Sequence, residues 1–212
     1  MFERLFAQAI VSFARTLTGV HAWWRQPLPA RPGRVYFGNH NSHGDFVLLW
    51  SCLTAHERYR TRPVAGADYW NSSALKRYVA SRVFRALLID RTKAAPGEQR
   101  PDPVQQMAAA LAAGDSLILF PEGTRNLSDQ KLLPFKSGLF HVQETHPDAE
   151  LVPVWISNLN RVMPKGELIP LPLICSVHFG APLTKVAGED KATFLARAQS
   201  ALLDLDPDRD HA

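Results

Sequence analysis

The sequence predicts a single α/β domain whose mixed, largely parallel sheet is flanked by helices and preceded by an amphipathic helix. The chain has 212 residues, of which 46% are hydrophobic and 21% charged, as expected for one globular domain with a large core. Beyond residue 34, short apolar runs alternate with helical patterns, and this alternation is typical of α/β proteins. We therefore expect an N-terminal helix within residues 1–26 and the main domain over residues 34–206.

The first predicted element is a membrane-docking helix. Arg4, Gln8 and Arg15 fall on one side of it, opposite an arc of apolar side chains. Trp23 and Trp24 follow, and such aromatic rings suit the headgroup region of a membrane. Packing of the apolar arc on the protein's own core is the alternative interpretation. The arc consists of Phe2, Leu5, Phe6, Ala9, Ile10, Phe13, Leu17, Val20 and Trp24.

Prolines and Gly33 then end the helical pattern and open the main domain. Asp102 and Pro103 indicate a helix start, and Gly114 indicates where that helix ends. The predicted strands are residues 35–37, 63–66, 87–89, 117–120, 151–156 and 174–179. The predicted helices are residues 46–56, 72–86, 103–113, 137–144 and 190–205.

The first cluster of chemical groups follows the first strand of the main domain. His40 and Asp45 are five residues apart, at a strand end and a helix start, so their side chains can meet across the turn. A carboxylate bonded to one imidazole nitrogen fixes the tautomer and leaves the other nitrogen free to accept a proton. We therefore predict His40 as a general base oriented by Asp45. The alternative is an aspartate that only caps the helix and hydrogen-bonds His40.

A second cluster, Glu122, Gly123, Thr124 and Arg125, directly follows the predicted strand at residues 117–120. Ligands of α/β sheets bind at the carboxyl ends of strands. The planar guanidinium of Arg125 suits a phosphate, and Gly123 permits close approach of the backbone. The alternative is an ordinary polar turn with solvated side chains.

Two further cations, Arg91 and Lys136, stand at a strand end and near a helix start, where anion binding is favourable. Each alone is typical of solvated surface. Together with the two clusters described above, they predict one site that combines a general base with a phosphate-binding cradle.

These segments resemble the glycerolipid acyltransferases typified by 1-acylglycerol-3-phosphate acyltransferase. That family's Asn-His-x-Ser-x-x-Asp motif is met in full at residues 39–45, and its Phe-Pro-Glu-Gly-Thr-Arg motif at residues 120–125. Its second motif ends in arginine, as Arg91 does, although Ala86 stands where glycine is usual. Its Phe-Lys-x-Gly and Val-Pro-Val segments correspond to residues 135–138 and 152–154.

The resemblance implies acyl transfer from acyl-CoA or acyl carrier protein to a lysophospholipid hydroxyl, with 1-acylglycerol 3-phosphate as the expected acceptor. His40 would be the base, and Arg125, Arg91 and Lys136 would hold the phosphate. Glu122 is expected to order this cradle or to bond a glycerol hydroxyl. The resemblance implies neither a metal nor a cofactor. It places the protein on the cytoplasmic face of a membrane, as a peripheral or monotopic protein.

Other functions remain open from the residues alone. Another acceptor, such as glycerol 3-phosphate or a different lysolipid, would use the same cations. His40, His43 and Asp45 could instead bind a metal in a hydrolase, and a non-catalytic lipid-binding protein is a further alternative. A nucleic-acid partner is not expected, because only the net charge of +4 favours one.

Overall fold

The computed structural model describes residues 2–90, 100–158, 174–184 and 186–209. The strands in this part of the chain are β1 (His21–Trp24), β2 (Arg34–Gly38), β3 (Thr61–Gly66), β4 (Leu87–Ile89), β5 (Ser116–Leu119), β6 (Glu150–Ser157) and β7 (Ser176–Phe179). The helices are α1 (Phe2–Thr18), α2 (Asp45–Cys52), α3 (Ala55–Arg60), α4 (Ala67–Trp70), α5 (Ala74–Tyr78), α6 (Pro103–Ala112), α7 (Gly138–Thr145) and α8 (Lys191–Leu203).

These strands form one mixed sheet in the order β1-β7-β6-β2-β5-β3-β4. Every neighbouring pair is parallel except β6 and β7, which are antiparallel. The central strand β2 therefore lies between β5 and β6, and all three run in the same direction. This confirms the predicted α/β fold class with a largely parallel sheet.

Side chains alternate between the two faces of the sheet, as the pleat requires. On β2, Val35 and Phe37 pack with residues of α6, α7 and α8, whereas Tyr36 packs with residues of α1 and α2 on the opposite face. The sheet is thus the middle of three layers. All residues of β2 are buried. The strand is therefore held in the middle of the sheet, and the loop that follows it starts from a fixed position.

Helix starts follow the capping rules. The side chain of Asp102 accepts a hydrogen bond from the backbone N–H of Val104, and Pro103 begins α6. Thr54 and Glu57 form a capping box at the start of α3. This box divides the single helix predicted at residues 46–56 into α2 and α3. The helix predicted at 72–86 is also interrupted, since α5 passes into a π-helical turn at Val79–Val83.

The N-terminal helix is shorter than the helix predicted within residues 1–26. Helix α1 ends at Thr18, and Gly19, with a φ of +54°, permits the sharp change of direction. Residues 21–24 then form β1, which pairs with β7. Trp24 is therefore part of the sheet of the main domain and does not extend the apolar arc of the helix.

Helix α1 has two apolar faces. Val11 is buried against the domain, with Ala7 and Ile10 packed beside it. A second face is exposed to solvent: Phe2 and Phe13 are each 69% exposed. Within the described residues, no helix is both long and apolar enough to cross a membrane. The apolar arc is thus divided between packing on the core and an exposed surface.

Candidate active site

The candidate site lies where the loops after β2 and β5 meet. These strands are adjacent and parallel, with Phe37 paired in register with Leu119, so their carboxyl ends lie side by side. The imidazole of His40 stacks on the ring of Phe120 with centroids 4.3 Å apart. The backbone N–H of Asn126 also donates to the carbonyl of His40 at 2.6 Å. The loops after β2 and β5 are therefore in direct contact.

His40 and Asp45 form the expected pair. Nδ1 of His40 lies 2.9 Å from Oδ2 of Asp45, and none of the described residues hydrogen-bonds the other ring nitrogen, Nε2. The same Oδ2 accepts hydrogen bonds from the backbone N–H groups of Asn41 and Ser42, at 2.7 and 2.8 Å. The carboxylate of Asp45 is 2% exposed. It thus orders both the loop and the imidazole, which leaves Nε2 available for proton transfer.

Glu122 is buried between the two loops. Its Oε1 accepts a hydrogen bond from the backbone N–H of His40, and its Oε2 accepts one from Leu133, both at 2.8 Å. Burial raises the pKa of its carboxyl, while these two hydrogen bonds act in the opposite direction. Glu122 does not line the cavity beside His40. In this structure its carboxylate joins the backbone of the β2 loop to that of Leu133.

Two more features of the sequence position the β2 loop. The side chain of Asn39 bonds both the N–H and the C=O of Ile156 on β6, at 2.8 and 2.9 Å. A Cβ on Gly38 would lie 2.9 Å from the carbonyl oxygen of Val154, so only glycine fits between β2 and β6 here. The motif at residues 39–45 includes Asn39, but its spacing alone does not show that this side chain anchors the loop to β6.

The β5 loop brings its residues together around Gly123. Gly123 has a φ of +70°, and a Cβ there would lie 2.8 Å from Cδ of Lys136. The aliphatic part of Lys136 therefore packs on this glycine. The backbone N–H of Lys136 donates to the carbonyl of Pro121 at 2.8 Å. Thr124 and Arg125 lie beside Gly123 on the wall of a cavity. Lys136 thus lies next to Gly123, but it is not among the described residues that line this cavity.

That cavity has a volume of about 680 Å³. Its polar part includes His40, Arg125 and Asp68. Its remaining wall is largely apolar, and includes Phe46, Val64, Phe84, Ile89, Met107 and Leu119. The arrangement suits a ligand with an anionic end and an apolar chain. Arg91, the other predicted phosphate ligand, lies outside the described residues, although β4 ends at Ile89 in the cavity wall.

No sequence pattern assigns a role to Tyr69, which lines the cavity, or to Lys76 beside it. The ring of His43 stacks on Tyr69 with centroids 4.9 Å apart, and Nζ of Lys76 lies 4.0 Å from the centre of the Tyr69 ring. Burial and the charge of Arg125 lower the pKa of His43. No motif marks Tyr69 or Lys76, because only the tertiary fold brings α4 and α5 next to the β2 loop.

The described residues contain no group of three His, Cys, Asp or Glu side chains placed to hold a metal ion. His43, one of the three ligands considered for a metal, stacks on Tyr69 and does not form such a group with His40 and Asp45. Asp45 is occupied by His40 and by two backbone N–H groups. The donor set present here therefore does not fit a metal centre.

The fold and site define an α/β protein with a His-Asp pair, an arginine and an apolar cavity at the carboxyl ends of parallel strands. Such a site is suited to proton transfer on a bound anionic substrate. A family model described as acyltransferase matches residues 24–157, more than half of the chain. The chain therefore belongs to the acyltransferase family.

Two comparisons with individual proteins agree with this family. A 1-acyl-sn-glycerol-3-phosphate acyltransferase of Chlamydomonas reinhardtii is 36% identical over 89 residues, which are 41% of this chain and 26% of that protein. The match thus spans about a quarter of that relative's length. The crystal structure of PlsC, the 1-acyl-sn-glycerophosphate (LPA) acyltransferase from Thermotoga maritima, superposes with a TM-score of 0.70 at 18% identity. It covers 96% of this chain and 80% of PlsC, which shows a shared fold.

Proposed function

We propose that this protein transfers a fatty acyl group from a thioester to the hydroxyl of a lysophospholipid, with 1-acylglycerol 3-phosphate as the acceptor. Family membership supports the reaction class, and the function named for the algal relative supports the acceptor. The observation that carries the proposal is the hydrogen bond between His40 and Asp45 beside an apolar cavity. The donor is acyl-CoA or acyl carrier protein.

In the proposed reaction, Nε2 of His40 takes the proton of the acceptor hydroxyl while that oxygen attacks the thioester carbonyl. The new C–O bond forms and the C–S bond breaks, and the proton passes from His40 to the departing thiolate. Asp45 holds Nδ1 and so keeps the imidazole in the tautomer that can accept at Nε2. No covalent acyl-enzyme is required.

Substrate binding follows from the polarity of the cavity. The guanidinium of Arg125 would hold the acceptor phosphate, with Lys136 and Arg91 as further cations. Glu122 would act indirectly, by fixing the backbone of His40. The acyl chain would lie along the apolar wall formed by residues such as Phe46, Met107 and Leu119. The reacting hydroxyl is then held between the phosphate site and the base.

We further propose that the exposed face of α1 docks on the cytoplasmic face of a membrane. Phe2, Leu5 and Phe13 are 64–69% exposed and share one side of the helix. A stripe of large apolar side chains on a solvated helix is typical of interfacial attachment. Docking would place the enzyme at the surface where lysophospholipids reside.

The first test measures thiol release with acyl-CoA and acyl carrier protein donors, with and without lysophosphatidate in mixed micelles. Glycerol 3-phosphate serves as the competing acceptor. His40→Ala should reduce acceptor-dependent release by about 10²- to 10⁴-fold, the usual contribution of general base catalysis. His141→Ala is the matched control, because His141 is exposed on α7 and lies outside the cavity wall. Release that survives in His40→Ala would contradict the assignment of the base.

A further inference from the structure

His43 lies on the wall of the catalytic cavity, and the proposed acyl transfer assigns it no role. It belongs to the loop between β2 and α2, and hydrogen bonds hold this loop on both sides of it. The backbone N–H of Ser42 donates to the carboxylate of Asp45 at 2.8 Å, and the backbone N–H of Gly44 donates to the hydroxyl of Ser42 at 3.3 Å. The side chain of His43 therefore starts from an ordered loop, on the wall of the cavity that His40 also lines.

The His43 ring is held by a stack of side chains. Its centroid lies 4.9 Å from that of the Tyr69 ring, at an interplanar angle of 15°. Nζ of Lys76 lies 4.0 Å from the centre of the same Tyr69 ring, and it donates a hydrogen bond to the hydroxyl of Ser72 at 3.1 Å. Stacking uses only the face of an imidazole, so the edge that carries its two nitrogens stays available for a ligand.

Among the described residues, none hydrogen-bonds either ring nitrogen of His43. This distinguishes His43 from His40, whose Nδ1 is bonded to Asp45. Because no carboxylate fixes its tautomer, His43 is poorly suited to act as a general base. An imidazole still has one N–H donor when neutral and two when protonated. The chemistry left for His43 is to donate a hydrogen bond to a polar group of the substrate.

The charges around His43 indicate which polar group this is. Burial lowers the pKa of His43, and among the neighbouring charges Arg125 has the largest effect, in the same direction. His43 is thus coupled most strongly to the residue to which the acceptor phosphate is assigned. The titratable groups around it are His40 and Asp45 in its own loop, Arg125 in the β5 loop, Asp68 and Tyr69 in α4, and Lys76 in α5. A phosphate at Arg125 would add a negative charge to this set and favour the protonated imidazole.

We propose that His43 donates a hydrogen bond to the acceptor phosphate beside Arg125, and that Tyr69 and Lys76 position its ring for this contact. The inference rests on the proposed acyl transfer to a phosphate-bearing lysolipid, and it adds a residue that selects for the phosphate. The guanidinium and the imidazole would bond one anion from two separate loops. An acceptor without a phosphate would leave both groups unused, so the cavity favours lysophosphatidate over a monoacylglycerol.

The first test is an NMR titration of the histidine rings with 1-hexanoylglycerol 3-phosphate, a soluble short-chain acceptor, in the absence of any thioester. Saturation with this ligand should raise the pKa of His43, because a nearby phosphate stabilises the imidazolium. The matched ligand 1-hexanoylglycerol has no phosphate and should leave this pKa unchanged. The signals of His43 are identified by their loss in His43→Phe. An unchanged pKa at saturation with the phosphate ligand would overturn the proposal.

Steady-state thiol release measures what the imidazole nitrogens contribute. His43→Phe keeps a ring that can stack on Tyr69 but removes both nitrogens. The KM for lysophosphatidate should rise about tenfold, as expected for one lost hydrogen bond to a charged group, while kcat changes little. His141→Phe makes the same change on exposed α7, outside the cavity, and should alter neither constant. An unchanged KM in His43→Phe, with or without a lower kcat, would overturn the proposal.

Tyr69→Leu tests the positioning of the ring. Loss of the stack should raise the KM for lysophosphatidate less than His43→Phe does, and it should weaken the response of the His43 pKa to the phosphate ligand. If Tyr69 acts through His43, the double variant should have nearly the KM of His43→Phe alone. Increases in KM that multiply would overturn the positioning role.

Wild-type activity keeps this inference apart from the proposed function. Absence of acceptor-dependent thiol release with every donor would contradict the acyl transfer, whereas the NMR titration requires no turnover. Acceptor-dependent release together with an unresponsive His43 would contradict the phosphate contact alone.

Discussion

The carboxylate of Glu122 accepts a hydrogen bond from the backbone N–H of His40 at 2.8 Å. Its other oxygen accepts from Leu133. A single buried side chain therefore fixes the position of the candidate base through the main chain, and it does so from the neighbouring strand. Both the stability of the protein and its rate should consequently depend on this carboxylate.

Glu122→Gln should destabilise the protein and slow catalysis. An amide has only one oxygen, so one of the two backbone N–H groups is left facing an NH₂ group, at a cost of about 1–3 kcal/mol. Since His40 would shift, kcat should fall while the KM for the acceptor changes little. Urea unfolding and steady-state kinetics measure these effects. A raised KM with unchanged stability would indicate instead that Glu122 binds substrate.

The same residue predicts a pH dependence of stability. Because burial raises the pKa of Glu122 above its ordinary value of 4.5, the folded protein holds this proton more tightly than the unfolded chain does. This contribution to stability is complete below pH 4.5 and is lost as the pH rises through the folded-state pKa. The glutamine variant has no such proton to lose. As the pH rises from 4.5 through the folded-state pKa of Glu122, the difference in unfolding free energy between wild type and Glu122→Gln should therefore narrow. Urea denaturation at a series of pH values would show it, and a constant difference would contradict it.

Asp45→Asn tests the orientation of His40. The asparagine can still accept from the N–H groups of Asn41 and Ser42, but it carries no charge to stabilise the imidazolium formed during proton transfer. We expect kcat to fall by about 10²- to 10⁴-fold, with a smaller change in stability. Single-turnover thiol release, compared with His40→Ala, measures this. Full activity in the variant would mean that Asp45 begins helix α2 but does not orient His40 for catalysis.

Arg125→Gln should affect both substrate binding and a neighbouring histidine. Loss of a charged hydrogen bond to the acceptor phosphate should raise its KM about 10- to 100-fold. The pKa of His43 should also rise, because the charge of Arg125 helps to hold it down. Titration of the histidine ring signals by NMR measures this pKa without substrate. An unchanged pKa would contradict the electrostatic contact.

Gly123→Ala should be destabilising because two separate effects coincide there. Its φ of +70° disfavours a side chain by about 1–2 kcal/mol, and a Cβ would lie 2.8 Å from Cδ of Lys136. Displacement of Lys136 should also weaken binding of the acceptor. Gly138→Ala is the matched control, since nothing lies within 4 Å of its Cβ position. Equal thermal unfolding midpoints for the two variants would show that neither the positive φ nor the contact with Lys136 limits this position.

Local patterns predicted which residues lie together at the candidate site. His40, Asp45 and Arg125 stand in short motifs at strand ends, and parallel strands bring such ends together. The role of Glu122 could not be predicted from the residues, because only the contact between two loops shows that its carboxylate bonds backbone N–H groups. The same holds for Tyr69, which lines the cavity, and for Lys76, which contacts the Tyr69 ring from a separate helix.

The N-terminal segment shows a different limit of prediction from sequence. Its helical spacing correctly predicted α1, but the aromatic residues at 23 and 24 suited both a membrane interface and a strand. Their pairing with β7, more than 150 residues away, decided in favour of the strand. Periodicity also could not separate the buried apolar face of α1, which includes Val11, from the exposed face, which includes Phe13.

Strand β1 has a practical consequence for anyone who wishes to prepare a more soluble form of the enzyme. Removing residues 1–26 would delete the exposed helix, but it would also remove the outermost strand of the sheet. The hydrogen-bonding groups of β7 that now face His21–Trp24 would be left open to pair with another molecule, a recognised route to aggregation. Replacing Phe2, Leu5 and Phe13 with polar residues would reduce the apolar surface and keep β1 paired with β7.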